Sequence, residues 1–436
     1  MTHNRTLALL LALAAPMTLP TLAHAEVIGT TTPLKGLTAA DVETAVPAGP
    51  QRDAWLDWLA RSKAAMARDK AALEEERRAL AASGQEVPGP PPTGNSADTM
   101  PLDRDAAWYG GAEARAIADN VVSFQTPAGG WGKNQDRTGP VRAPGQGYTI
   151  SIGQVGAHAA QDGADGWSFV GTMDNDATIH ELAFLARVQE QLPGAEGDAY
   201  RQSFARGLDY LLAAEMPGGG WAQVWPLQGG YHDALTLNDN MLVGTAELLQ
   251  QVGTGAGPYA FLPPERRAEA AAAASRAVEL LLDLQVEVAG QPTIWAQQYG
   301  PFTRQPVPAR NYEMIALAAG ESAPVLKFLM QQDRADPRIV RAIEAGARWF
   351  AEHPVTGMAW RRLSQTERRL VPEPGAEPLW ARFYSIETGQ PIFGDRDLSI
   401  HDDVNEISAE RRRGYAWFNN SGAEVARDYA AWQAAR

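Results

Sequence analysis

Three stretches concentrate the side chains that could do chemistry. Asp174-Asn175-Asp176 sets three acid or amide groups in a row, Asp233 closes a Gly- and Trp-rich loop that begins at Gly218, and Asp239 stands between two asparagines. Carboxylates delivered from separate loops are hard oxygen ligands of the kind Ca²⁺ accepts in flexible geometry. An acid just before a helix is also an ordinary N-cap, and each of these acids keeps that second reading. Lys133, Arg310, Arg382 and Arg396 lie near Gly- and Pro-rich turns and supply fixed cations. Trp131, Trp221, Trp225, Tyr231 and Tyr312 lie in or beside the same loops, where they read either as sugar platforms or as core aromatics. Acids, cations and aromatic faces together are a kit for an acidic polysaccharide. The histidines do not add a metal site: His158, His180, His232, His353 and His401 are scattered, and only His232 sits in a candidate motif.

The elements that must position these groups are helices. Gly129-Gly130-Trp131-Gly132-Lys133 matches Gly219-Gly220-Trp221-Ala222-Gln223, with weaker echoes at Thr293-Ile294-Trp295-Ala296-Gln297 and Gly357-Met358-Ala359-Trp360-Arg361. Each Trp follows a stretch of helical periodicity: Ala114 to Phe124, Tyr200 to Ala214, Ala268 to Leu284 and Ile339 to Phe350. After the first three loops the pattern predicts further helices, including one from Ile179 to Gln191, one opening at the Asn238-Asp239-Asn240 cap and running to Gln251, and one from Tyr312 to Leu329 interrupted near Gly320 and Pro324. Self-similarity at this spacing marks stacked supersecondary units with a shared core. The fold this predicts is dominated by α-helix: an α/α toroid with long loops and a few short strands gathered at a cleft.

Composition bounds the rest. The chain has 436 residues, a formal net charge of -14 and no cysteine. The absence of cysteine excludes disulfides and thiolate metal sites, and the acidic balance argues against nucleic acid as a partner. Residues 1–25 carry Arg5, an apolar run from Leu7 to Ala15 and an Ala23-His24-Ala25 exit, the grammar of a secretory signal. The expected organisation is a signal at 1–25, a helical extension with a Pro-rich linker at 26–105, and a catalytic body at 106–436. The expected product is a monomer, periplasmic or secreted, with no membrane span once the signal is removed.

Taken in order, GGWGKN at 129–134, TMDNDAT at 172–178, GGWAQVWPLQGGYHDALTLND at 219–239, WAQQY and PARNYE within 295–313, ES at 321–322 and WARFYSIETGQPIFGDRD at 380–397 make the chain resemble the family 10 pectate lyases from about Ala107 onward. The resemblance implies an α/α toroid that cleaves α-1,4-polygalacturonate by Ca²⁺-dependent β-elimination to 4,5-unsaturated oligogalacturonides. Carried over by motif, Arg310 corresponds to the base that removes the C5 proton. Asp174 and Asp239 correspond to acids that take part in catalysis and bind Ca²⁺, with Asp233 as a third metal ligand. Lys133, Asn175, Arg382 and Arg396, with Trp131, Trp221, Trp225, Tyr231 and Tyr312, would bind substrate. Three positions depart from the family pattern: Gly132 where Pro is usual, Asp176 where Gly is usual, and Asn311 where Ala is usual.

An arginine base has a chemical consequence. Its guanidinium stays protonated in ordinary surroundings, so neighbouring cations, Ca²⁺ and Arg396 among them, are expected to press the proton off and give an alkaline optimum. Two other functions fit the same residues. A glycoside hydrolase would use Asp174 and Asp239 as acid and base without metal, and a non-catalytic periplasmic protein would only bind the polysaccharide.

Overall fold

The computed structural model describes residues 26–150, 167 and 169–435; the signal expected at 1–25 and the second half of the loop from Gly139 to Gly166 lie outside them. The helices of seven or more residues run α1 (Ala39–Ala45), α2 (Pro50–Ala82), α3 (Ala112–Ser123), α4 (Ile179–Glu190), α5 (Asp198–Ala214), α6 (Met241–Thr254), α7 (Pro264–Leu284), α8 (Ala319–Leu329), α9 (Pro337–Glu352) and α10 (Ser421–Ala434). Short turns join α4 to α5, α6 to α7 and α8 to α9, and the two helices of each such hairpin pack on one another. Successive hairpins touch through α4, α6 and α8 on one layer and through α5, α7 and α9 on the other, with α3 opening the outer layer and α10 closing the array against α8 and α9. The tight pairs therefore form across the short turns, and the long Trp-bearing loops all emerge at the opposite end. This is the expected α/α toroid.

Burial explains which helix lies where. α4 and α6 are buried along most of their length, as an inner helix must be, α4 even at Glu181 and Gln189. α9 is strongly two-faced: Ile339, Ala342, Ile343, Gly346 and Phe350 are buried on one stripe, and Asp336 caps its start by accepting from the Arg338 amide.

The repeated tryptophans have a structural role. The indole N–H of Trp131 donates to Val121 O at 2.7 Å, Trp221 to Leu211 O at 2.8 Å, Trp295 to Leu281 O at 2.7 Å and Trp380 to Phe350 O at 2.9 Å. Each acceptor is among the last four carbonyls of an outer helix, where the supply of helical donors runs out. One large ring thus fills the core and satisfies a helix end at once. The fourth member is Trp380 and not the expected Trp360. Trp360 sits in a hairpin, Met358–Arg362 paired with Arg368–Pro372, that is inserted between α9 and the true repeat position.

Residues 312–318 also differ from expectation, since α8 starts only at Ala319. Leu317–Ala318 instead pairs with Phe383–Tyr384, and Glu313 is engaged in a turn with Arg310.

The extension at 26–105 lies against the loop end of the ring. On α2, Trp55 meets Phe302 edge-on at 4.8 Å, Ser62 Oγ accepts from Leu227 N at 2.9 Å, and Asp69 Oδ1 accepts from Ala128 N at 2.8 Å. Asp69 is fully buried with Oδ2 unsatisfied, and burial pushes its carboxyl up to about 7. The folded protein therefore holds a proton that the unfolded chain releases near pH 4, so stability falls as pH rises between about 4 and 7. Asp69→Asn keeps the acceptor for Ala128 and removes the charge. We expect it to raise stability at pH 8 by about 2–4 kcal/mol and to flatten the slope of urea midpoint against pH over that interval; an unchanged slope would contradict this.

Candidate active site

Two loops with the same backbone build the centre of the cleft. In Thr172-Met173-Asp174-Asn175-Asp176 the amide of Asp174 donates to Thr172 Oγ1 at 3.0 Å, and in Thr236-Leu237-Asn238-Asp239-Asn240 the amide of Asn238 donates to Thr236 Oγ1 at 3.2 Å. Asn175 and Asp239 then take left-handed φ values of 52° and 49°, and Asp176 and Asn240 follow at 61° and 62°. Asp and Asn tolerate this region better than other residues with a Cβ. The two segments are copies with acids and amides exchanged, a pattern visible in the sequence as TMDND and TLNDN. Neither Thr178 nor Asn240, the residues preceding α4 and α6, makes a side-chain cap bond, so the acids are not spent as N-caps.

The exchange brings Asp174 and Asp239 face to face within hydrogen-bonding reach. Asp174 is 1% exposed, and Lys133 Nζ binds its Oδ2 while lying 3.6 Å from the centre of the Phe169 ring. Burial works against the Asp174 charge, but the Lys133 ammonium outweighs it and holds the carboxyl below its ordinary value. Burial and then the Asp174 charge push Asp239 up to about 6. Asp239 Oδ2 accepts from Asn238 Nδ2 at 2.7 Å, whereas Asp174 Oδ1 is buried with no donor. Two carboxylates facing each other with an orphaned buried oxygen need either a shared proton or a cation between them. The carboxylate oxygens of the pair fit a hard cation such as Ca²⁺, whereas Asn238 turns its Nδ2 to Asp239 and its Oδ1 to Arg382 and adds no free oxygen.

Asp233 is not part of that set. Its Oδ2 accepts from Leu37 N at 2.8 Å and its Oδ1 from Gly229 N at 2.9 Å, which ties two backbone segments together. Among the described residues no three His, Asp or Glu side chains are placed to share a metal, so the expected Asp174, Asp239 and Asp233 trio reduces to a pair.

The cations occupy the facing side. Arg382 is bound to Glu321 and donates to Asn238 Oδ1 at 3.0 Å, linking the second loop to the start of α8. Arg310 grips the buried Glu313 through Nε at 2.8 Å and Nη2 at 2.6 Å, leaving Nη1 without a hydrogen bond among the described residues. Tyr415 Oη donates to the same carboxylate. Burial acts against the guanidinium charge, but Glu313 outweighs it and raises the proton affinity of Arg310 well above normal, while Arg310 draws Glu313 down to about 2. This corrects the expectation that cations press the proton off Arg310. Arg396 is instead paired with Glu410 at 2.9 Å. Glu313, Glu321 and Tyr415 were missed as site residues, because a carboxylate that orients an arginine has no periodic signature.

The aromatic expectations separate by burial. Trp131 and Trp221 are wholly buried and Trp225 is 4% exposed, packed edge-on against Tyr210 at 5.5 Å, so all three are core rings and not sugar platforms. Tyr312 is 6% exposed and ringed by the guanidiniums of Arg310, Arg396 and Arg411 at 5.3, 5.6 and 4.4 Å, which makes it a seat for cations. Tyr231 stays half-buried and stacks on His232 at 4.0 Å, with Phe169 edge-on to His232 at 4.9 Å. Burial holds His232 down to about 4, so this ring is neutral. Asn175 is exposed beside Asn134, to whose Oδ1 it donates at 3.1 Å.

Two of the three departures find physical reasons, and the structure gives none for the Asp at 176. A Cβ at Gly132 would stand 2.0 Å from Thr149 Cγ2, and the φ of 61° at Asp176 is the conformation that favours the usual Gly. Asn311 donates to Arg396 O at 3.1 Å and so joins the two cationic loops.

A family model described as pectic acid lyase matches residues 125–426. The chain belongs to the pectic acid lyase family. Two solved structures of the family 10 polysaccharide lyase from Cellvibrio cellulosa are similar to it. One, an aspartate-to-alanine mutant in complex with trigalacturonic acid, is 30% identical over 77% of this chain and 98% of that chain, with a TM-score of 0.63. The other is 29% identical over 78% and 99%, also with a TM-score of 0.63. No curated protein sequence matches. This pectic acid lyase family member is thus a polysaccharide lyase, and no helix among its described residues is long and apolar enough to cross a membrane.

Lys133 is positioned by a buried ion pair that the motifs did not reveal. Arg137, on the Lys133 loop, binds Glu181 of α4 at 2.7 Å with both side chains fully buried. Glu181→Ala leaves that guanidinium uncompensated, and we expect a loss of about 3–5 kcal/mol in urea unfolding; a loss below about 1 kcal/mol would show that the pair does not hold the loop.

Proposed function

We propose that the protein is an exported, monomeric pectate lyase that cleaves α-1,4-polygalacturonate by Ca²⁺-dependent β-elimination. The observation that carries this is the meeting, in one cleft, of a facing carboxylate pair with one donorless buried oxygen, on Asp174, and a guanidinium with an open nitrogen. Lys133, Arg310, Arg382, Arg396 and Arg411, each held by a carboxylate of the chain, offer donors suited to a polyuronate, and the ligand in the similar lyase is trigalacturonic acid. Export rests on the signal grammar of residues 1–25.

Asp174 and Asp239 hold Ca²⁺ in this reading. Bound there it adds positive charge beside the substrate carboxylate, where negative charge grows as the C5 proton leaves. Lys133, Arg382 and Arg396 neutralise uronate carboxylates. Arg310 takes the C5 proton at Nη1; the C5–H pair forms the C4–C5 double bond, the C4–O4 bond breaks, and the leaving oxygen gains a proton from solvent. Glu313 makes the neutral guanidine rare but a strong base, because protonation restores the ion pair. The rate accordingly rises with pH into the alkaline range. The hydrolase alternative loses support from the same geometry. Its two carboxyls must stand at least about 5 Å apart to flank a glycosidic bond, whereas Asp174 and Asp239 are within hydrogen-bonding reach.

Purified protein incubated with polygalacturonate at alkaline pH, with and without a chelator, tests this. Unsaturated product that disappears with chelator and returns with added Ca²⁺ is expected; full activity in metal-free buffer would remove the metal.

A further inference from the structure

Residues 26–37 precede the span matched by the family model, yet they run along the cleft. One end of this strap is a strand. Gly29–Thr30 pairs antiparallel with Ser399–Ile400, and Ile28 N and Thr31 N donate to Ile400 O at 2.9 Å and Leu398 O at 2.8 Å. That strand follows the turn carrying Arg396. The other end is clamped by Asp233, which accepts from Leu37 N and Gly229 N together. Gly36 passes so close to the Tyr231 loop that a Cβ there would stand 2.7 Å from Gly229 Cα. The strap thus bridges the two loops that bear Arg396 and Tyr231.

Its middle faces the chemistry. Pro33 and Leu34 line a cavity of about 180 Å³ whose remaining walls are Gly230, Tyr231, Ala309, Arg310, Asn311 and Tyr312. On the far side of the strap lies a separate apolar hollow of about 400 Å³, bounded by Lys35 and Gly300–Phe302. Pro33 and Leu34 therefore divide the space beside Arg310 from the space beyond.

We propose that the strap is a specificity element: Pro33 and Leu34 wall off the polyuronate groove on the Arg310 side and limit the number of sugars that bind there, so that cleavage proceeds from a chain end. This rests on the polygalacturonate reading of the cleft. The apolar pair carries no charge for a further uronate, and the strap is fixed at one end by strand pairing and at the other by the Asp233 carboxylate, so binding cannot displace it cheaply.

The test compares wild type with Pro33→Gly/Leu34→Gly, which removes the wall and leaves both anchors, and with Gly36→Leu, which pushes the strap off the Gly229 loop. Two readouts are taken: product sizes and viscosity loss per unsaturated bond formed on polygalacturonate, and calorimetric binding of tri- to hexagalacturonate. Wild type is expected to release one short product from the outset and to gain no affinity beyond the shortest oligomer that fills the groove. The variants are expected to give a broad range of sizes, a viscosity loss per bond about tenfold greater, and affinity that climbs with length. Identical product patterns and length dependence in all three proteins would overturn the proposal, as would broad product sizes from wild type. If no unsaturated product forms at all, the lyase reading on this substrate fails, while the length dependence of binding still decides the strap.

Discussion

Replacing Arg310 by lysine lowers kcat on polygalacturonate by at least about a thousandfold, close to 4 kcal/mol of barrier, and alanine lowers it further. The reason is geometric. Glu313 takes Nε and Nη2 of the guanidinium and leaves Nη1 directed by a rigid planar fork. Lysine keeps the charge but has no fork, so it cannot hold the carboxylate and present an open nitrogen at once. If Arg310 only neutralised a substrate carboxylate, the lysine variant would keep most of its kcat and lose binding. Oligogalacturonate affinity measured beside kcat separates the two roles. A lysine variant within about tenfold of wild type, about 1.4 kcal/mol, would take Arg310 out of the role of base. The wild-type rate should rise with pH without reaching a plateau below about pH 9, since a guanidinium paired with a buried carboxylate gives up its proton only at high pH.

Asp174→Ala carries the second large effect. It removes one of the two facing carboxylates and the counterion of Lys133. We expect Ca²⁺ affinity by calorimetry to fall at least about tenfold and kcat about a hundredfold or more. Thermal stability should fall modestly without loss of the fold, because Lys133 loses its partner while the like-charge contact with Asp239 is relieved and no cap bond is lost. A circular dichroism melt that collapses, with Ca²⁺ affinity intact, would return Asp174 to a structural role.

The helical repeat was legible in the sequence because a Trp-bearing loop follows each amphipathic stretch, as Gly-Gly-Trp in the first two, and the outer helices appear where the periodicity put them. The meaning of the tryptophans was not. A ring that recurs at a fixed place in every unit serves what the units share, which is the helix end it closes, and so Trp131 and Trp221 are core. Trp360 misled because a hairpin with its own tryptophan was inserted ahead of Trp380. Within the site, Asp174 and Asp239 could be read because acids cluster at loop ends. Asp233 could not be told from them, since only the fold shows its oxygens turned to the Leu37 and Gly229 amides. Glu313 and Glu321 were hidden because each acts by holding an arginine. The strap at 26–37 has neither periodicity nor motif, and its position follows from one short strand pairing and one clamp.

The most direct measurement is the chemistry of the first products formed from polygalacturonate in heavy-oxygen water. β-Elimination predicts a new ultraviolet absorbance in proportion to bonds broken and no solvent oxygen in the fragments. Fragments that carry one solvent oxygen per break and no absorbance would identify hydrolysis and contradict the account.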